Sequence, residues 1–173
     1  MAEAARMTLL NCPSEIQVGI ADLKVGGEPA VLVTLGLGSC VGVTLYDPVQ
    51  KVGGLLHIML PKMSDFTRGR VKPAKFADTG IPLLLQEVLG LGASRRLLEA
   101  KIAGGAQMFS GLDKSFVMNM GNKNVDAVRE TLRELRIKIA AEDVGGKNGR
   151  TMILYTATGR VVIRIRGTQL KEI

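Results

Sequence analysis

The run from Thr34 to Pro61, TLGLGSCVGVTLYDPVQKVGGLLHIMLP, constrains the fold more than any other stretch of the chain. Two segments rich in Val, Leu and Thr flank Asp47-Pro48, a turn signal, and the pattern predicts two strands joined by a short connection. A glycine-rich approach, Gly36-Leu37-Gly38-Ser39, leads directly into Cys40, one of two cysteines, and the second strand carries His57, the only histidine. With the connection centred between Pro48 and Val49, Tyr46 faces Lys51 and Cys40 faces His57. Directly opposite residues of an antiparallel pair hold their Cβ atoms ~4.5–5.5 Å apart, close enough for a thiol and an imidazole to share a proton. A one-residue slip would send the two side chains to opposite faces, so the dyad stands or falls with the register.

A chain of 173 residues is long enough for one domain with a substantial core and too short for two. Residues 1–15 read as an irregular lead-in, with Cys12 held extended or in a loop by Pro13, and 16–173 as the domain. Without Trp, and with two Tyr and four Phe, the core must be mostly aliphatic. The net charge of +7 raises the question of an acidic partner or nucleic acid. The basic residues are scattered, however, and there are few aromatics on which bases could stack, which argues against a nucleic-acid module. Two cysteines make no disulfide framework, no CxxC is present, and one histidine leaves little for a metal site. No metal or cofactor is expected. The start, MAEAARMTLL, lacks the basic region followed by an apolar run that a secretory signal needs. The uncharged run Pro29 to Tyr46 reaches the lower limit of a membrane span. Its glycines, β-branched residues and bounding turns fit two buried strands better, so a soluble, cytoplasmic protein is expected.

Along the chain, Ile16 to Val25 alternates loosely and predicts a strand, and Ala30 to Leu35 another after the Gly26-Gly27 turn. The segment Pro61 to Lys75 is a polar, basic loop whose Arg68 and Arg70 are candidates for steering towards acidic surfaces. A helix should begin near Phe76 to Thr79, capped by Asp78 or Thr79, with Pro82 in its first turn and Gly90 and Gly92 ending it. Leu97 to Gly104 predicts a strand running into a glycine turn. A second helix spans about Asn122 to Arg136, with Val125, Val128, Leu132 and Leu135 on one stripe and Arg133 and Arg136 near its negative end. Ile137 to Val144, Thr151 to Tyr155 and Val161 to Ile165 predict strands. Many successive, hairpin-linked strands and about two main helices favour an α+β layered domain, mostly antiparallel, over a doubly wound parallel sheet.

Cysteine becomes a good nucleophile when a neighbouring base or positive charge favours the thiolate, so thiol reactivity of Cys40 above that of Cys12, with a pH dependence below that of a free thiol, separates an enzyme from a non-enzymatic adaptor that uses the same surface. The base needs hydrogen-bond reach and a third group to hold its ring. Cys40 and His57 fit the first two roles, and the hydroxyl of Thr34 or of Thr44 fits the third. The glycines at 36 and 38 allow the backbone amides near Gly38, Ser39 and Cys40 to point at a developing oxyanion. The competing structural reading is a small buried thiol and a hydrogen-bonded core histidine. Gly104-Gly105 and the run Gly145 to Arg150 superficially suggest phosphate cradles, but neither matches a P-loop, and turns are the simpler reading.

The same residues resemble the chemoreceptor glutamine deamidase family, CheD. GLGSCVGVTLYD (Gly36 to Asp47) and His57-Ile58-Met59-Leu60-Pro61 carry the resemblance. So do KFADTGIPLLLQEV (Lys75 to Val88), EAKIAGGAQMF (Glu99 to Phe109), GNKNVDAVRETL (Gly121 to Leu132) and AEDVGGKNGRTMIL (Ala141 to Leu154). The matches run in order over roughly residues 15 to 166. The resemblance implies a layered α/β domain similar to the cysteine deamidase toxins, with Cys40 as nucleophile, His57 as base and Thr34 as the residue that positions His57. It also implies cofactor-free hydrolysis of receptor glutamines to glutamate, methylesterase activity on receptor glutamyl esters, and the phosphatase CheC as a partner beside the chemotaxis receptors.

Overall fold

The computed structural model of the protein describes residues 14–66, 71–107, 119–165 and 170–173. Ten strands form two five-stranded sheets. The first contains β1 (Glu15–Val18), β3 (Val31–Leu37), β8 (Arg150–Tyr155), β9 (Arg160–Ile165) and β10 (Lys171–Glu172), side by side in that order. The second is ordered β2 (Asp22–Gly27), β5 (Val52–Ile58), β4 (Val41–Asp47), β6 (Glu99–Gly104) and β7 (Lys138–Val144). Among the described strands, β1 with β3 and β6 with β7 pair in parallel and the rest antiparallel. This is the expected α+β, mostly antiparallel architecture.

Two helices, α1 (Ala77–Gly90) and α2 (Met120–Glu134), pack on the second sheet. The alternation of the strands explains the layering. On β4 and β5, Val41, Val43, Leu45, Leu56 and Ile58 face the helices and join Ile81, Leu84, Val88, Val125, Val128 and Leu132 in an aliphatic core. Leu55, on the other face of β5, meets Leu32, Leu37, Met152, Leu154 and Ile163 in a second core between the sheets. The central strands are thus covered on both faces, which is why the uncharged run from Pro29 to Tyr46 holds two buried strands, β3 and most of β4. No helix among the described residues is long and apolar enough to cross a membrane.

Several local expectations are corrected. Ile16 to Val25 is not one strand: the chain turns at Gly19 to Ala21, with Ala21 at φ 53°, and enters the other sheet as β2. Ile20, which the alternation would bury, is exposed on that turn. Helix α1 starts from Phe76 with no side-chain cap. The Asp78 carboxylate instead accepts the Met63 N–H (3.0 Å), and the Thr79 hydroxyl donates to the Pro73 carbonyl (2.7 Å). Pro82 lies beyond the first turn, inside the helix. Arg95–Leu97 form a 3-10 turn, so β6 begins only at Glu99. Arg136, expected in the last turn of α2, follows the helix at φ 56°. Cys12, Arg68 and Arg70 lie outside the described residues.

The β4–β5 hairpin also differs in register. Its connection has four residues, because Asp47 pairs with Val52 and Gly42 with His57. Asp47 builds this longer turn: its Oδ1 accepts the N–H groups of Val49 (2.8 Å) and Gln50 (3.0 Å), and Lys51 closes it at φ 52°. His57 therefore faces Gly42 rather than Cys40. The shift is two residues, so it preserves the face on which each side chain lies.

Candidate active site

The end of the molecule where β1, β3, β5, β6 and β7 finish and β4 begins carries the three candidate residues, with Thr34 and His57 in direct contact. Cys40 sits in a bend one residue before β4 and packs, half-buried, against the core between the sheets. His57 lies on the same inter-sheet side of β5 as Leu55 and is fully buried. Thr34, also fully buried, comes from the opposing sheet. With Gly42 opposite His57, Cys40 stands one step diagonally along the ladder, where side chains of neighbouring strands still reach one another.

Thr34 closes the regular part of the β3–β8 ladder, and a bulge follows it. Thr34 pairs with Met152 and Leu37 with Arg150, so β3 carries one extra residue, accommodated at Gly36 with φ 70°. Opposite His57, Gly42 leaves the space into which Leu37 and Met152 pack: a Cβ there would lie 2.9 Å from the Met152 sulfur.

The hydrogen bonds fix the imidazole. Thr34 Oγ1 lies 2.9 Å from the Val18 carbonyl oxygen and 2.7 Å from His57 Nδ1. A hydroxyl has one proton, and the Val18 carbonyl can only accept, so Thr34 donates to Val18. Its remaining lone pair must then accept from His57, which requires the proton on Nδ1. The other ring nitrogen, Nε2, is left with its lone pair free, and it is buried with no hydrogen-bond partner among the described residues. Thr44, the alternative orienting residue, donates instead to the Lys101 carbonyl (3.1 Å).

Burial governs the charge state. It lowers the His57 pKa to about 4, so the ring is neutral near pH 7. Burial also pushes the Cys40 thiol above its ordinary value, although the residue's own backbone N–H opposes the shift. Burial thus disfavours both charged forms, the thiolate of Cys40 and the imidazolium of His57. No hydrogen bond joins the two in this arrangement; once within hydrogen-bond reach, a neutral thiol and imidazole can transfer a proton from sulfur to Nε2 as a bond to sulfur forms.

Backbone bonds hold the cysteine bend. Gly38 donates to the Gly36 carbonyl (2.9 Å) and accepts from Ala106 N–H (2.7 Å), and the Cys40 carbonyl accepts from Gly105 N–H (2.8 Å). Gly104, at φ 118°, approaches so closely that a Cβ would lie 2.2 Å from the Cys40 oxygen. Gly145, at φ 78°, donates to the Gly104 carbonyl (2.8 Å). Both glycine segments serve as turns that tie strand ends together around Cys40. The Ser39 N–H has no hydrogen-bond acceptor among the described residues. Asn124, fully buried on α2, donates to both Ser39 and Met59 carbonyls (2.8 and 2.9 Å). Sequence reading missed Asn124, although a polar residue four before Val128 interrupts the apolar face of α2 and so carries a signal. No group of three His, Cys, Asp or Glu side chains that could hold a metal occurs among the described residues.

Fold and site define a layered α+β domain with a thiol and a tautomer-fixed imidazole at one end of two stacked sheets. The family model described as CheD chemotactic sensory transduction matches residues 59–165. A protein of Desulforamulus reducens named probable chemoreceptor glutamine deamidase CheD is 59% identical over 167 residues, which span 96% of this chain and all of the relative. One of the same name from Clostridium botulinum strain Hall is 53% identical over 159 residues, 92% of this chain and 98% of the relative. The chain belongs to the CheD family.

Proposed function

We propose that this protein is a cytoplasmic deamidase that hydrolyses selected glutamine side chains of chemotaxis receptors to glutamate with release of ammonia. The observation that carries the reading is the bond between Thr34 and His57, which leaves Nε2 unprotonated and buried, with Cys40 one diagonal step away along the β4–β5 ladder. The names of the relatives at 59% and 53% identity supply the substrate class.

In this reading the Cys40 sulfur attacks the carboxamide carbon while His57 Nε2 takes the thiol proton. The amides of Ser39 and Cys40 donate to the oxyanion that forms, and Gly38, anchored at both its N–H and its carbonyl, holds the bend that presents them. The tetrahedral intermediate collapses, the Nε2 proton passes to the leaving nitrogen, and ammonia departs to leave a thioester. Water then attacks the thioester, giving its proton to Nε2. Collapse expels the sulfur, which regains the Nε2 proton, and releases the carboxylic acid, which ionises to glutamate by giving its proton to the freed ammonia or to water. No cofactor takes part. A glutamyl methyl ester fits the same steps with methanol as the leaving group, which is the basis for assigning methylesterase activity as well. Receptors and the phosphatase CheC are assigned to the same end of the molecule, where Ile20 and Leu35 are exposed.

Incubation with receptor cytoplasmic fragments tests the reading by mass spectrometry. Wild type produces the mass gain of exchanging NH2 for OH at specific glutamines, and Cys40→Ala does not. Undiminished ammonia release by Cys40→Ala would refute it.

A further inference from the structure

We propose that Asn124 is a positioning residue that aims the Cys40 backbone N–H into the site. The β4–β5 ladder ends at Val41 and Ile58. Beyond it β5 leaves its partner, and the N–H groups of Met59 and Leu60 both donate to the Lys75 carbonyl (2.9 and 3.1 Å). The Asn124 side chain takes over where the ladder stops. Its one amide nitrogen bridges the carbonyl preceding Cys40 and the carbonyl two residues after His57.

The direction of the Ser39 carbonyl has a stereochemical consequence. In a trans peptide the C=O and N–H of one plane point in opposite directions. Anchoring the Ser39 oxygen on α2, on the helix side of the second sheet, turns the Cys40 N–H of the same plane away from the helix. It then points towards its own sulfur, in agreement with the effect of that N–H on the thiol, and towards the space where an oxyanion would form.

A packing role does not account for the choice of residue. Asn124 is completely buried, and its Oδ1 has no hydrogen-bond partner among the described residues. Its helix neighbours Val125 and Val128 fill the same core with aliphatic side chains. An orphaned buried oxygen is a local inconsistency of the kind found where function overrides stability.

The inference rests on the proposed Cys40 chemistry, and its test separates the two. Asn124→Asp keeps the shape but loses both donors. Asn124→Ala loses them by truncation and serves where the carboxylate variant does not fold. Circular dichroism and thermal melting establish the fold of each, with Val128→Ala as a control of reduced stability that leaves the bend untouched. Because an oxyanion exists only in the transition state, the Asn124 variants should lose about 10²-fold in kcat on receptor fragments, with KM within about threefold of wild type. Alkylation of Cys40 by iodoacetamide, a displacement that forms no oxyanion, should stay within about threefold of wild type. Unchanged kcat, or kcat and alkylation falling together, would overturn the role of Asn124. Loss of activity in Cys40→Ala alongside full activity in both Asn124 variants would overturn this inference alone. Activity surviving in Cys40→Ala would overturn the chemistry beneath it.

Discussion

Thr34 Oγ1 lies 2.7 Å from His57 Nδ1 and 2.9 Å from the Val18 carbonyl, so a hydroxyl from one sheet fixes the tautomer of an imidazole in the other. The pairing crosses the layer between the sheets, and the relative position of the sheets thereby becomes part of the site. Substitutions that alter the inter-sheet core should reach the chemistry through this bond.

Thr34→Val keeps the shape and removes both bonds. It leaves the Val18 carbonyl and the Nδ1 proton without partners, at a cost of about 1–3 kcal/mol in stability. With the ring free to turn or change tautomer, kcat should fall on the order of 10²-fold. Thr34→Ser, which keeps the hydroxyl, should recover most of it. Steady-state kinetics and thermal melts of the two variants check both halves.

Acid should destabilise the protein through His57. Its pKa is about 4 in the folded state against an ordinary value of 6.5. Between these values the unfolded chain binds a proton that the folded chain rejects. The contribution is fully present above about pH 6.5 and is lost as the pH falls to about 4, amounting to roughly 3 kcal/mol. Subtracting the stability of His57→Gln from that of wild type at each pH should isolate this slope. Activity should persist to lower pH than an ordinary histidine base allows and fail as Nε2 is protonated near pH 4.

Gly104→Ala should damage the site from behind. The added Cβ would lie 2.2 Å from the Cys40 carbonyl oxygen, at a backbone φ of 118° that L side chains rarely adopt. A loss of more than about 3 kcal/mol in denaturant unfolding is expected, with activity reduced in whatever folds because the cysteine bend is displaced.

Asp47→Ala should separate folding from chemistry. Burial pushes this carboxyl up, but the N–H groups of Ser94, Gln50 and Val49 together hold it below its usual value. Removing it deprives those donors of their acceptor and should cost about 1–3 kcal/mol. The turn lies at the far end of the hairpin from Cys40, so kcat of the folded fraction should be unchanged.

The strands and helices were legible because alternation and helical spacing follow directly from burial on known faces. The stripe Val125, Val128, Leu132 packs as its spacing predicts. The hairpin was legible in kind but not in register, because the length of its turn depends on three bonds to Asp47, one of them to distant Ser94. The same nonlocality hid the break at Gly19 to Ala21, where the chain changes sheets. The candidate residues Cys40 and His57 were singled out by the Gly-rich approach to the cysteine and by the single histidine. The choice between Thr34 and Thr44 rested on resemblance, and the inter-sheet packing gives it a physical basis. Asn124 was hidden because its partners are backbone carbonyls, whose directions no sequence pattern states.

The chain contains one histidine, which allows the central claim to be read without assignment ambiguity. Nitrogen NMR of untagged protein labelled with 15N-histidine reports which ring nitrogen carries the proton, and at what pH the second is gained. At pH 7 the signals should be those of a neutral ring protonated on Nδ1, with Nε2 titrating near pH 4. A ring protonated on Nε2, or one titrating at the ordinary value of 6.5, would contradict the account of how Thr34 prepares His57 for Cys40.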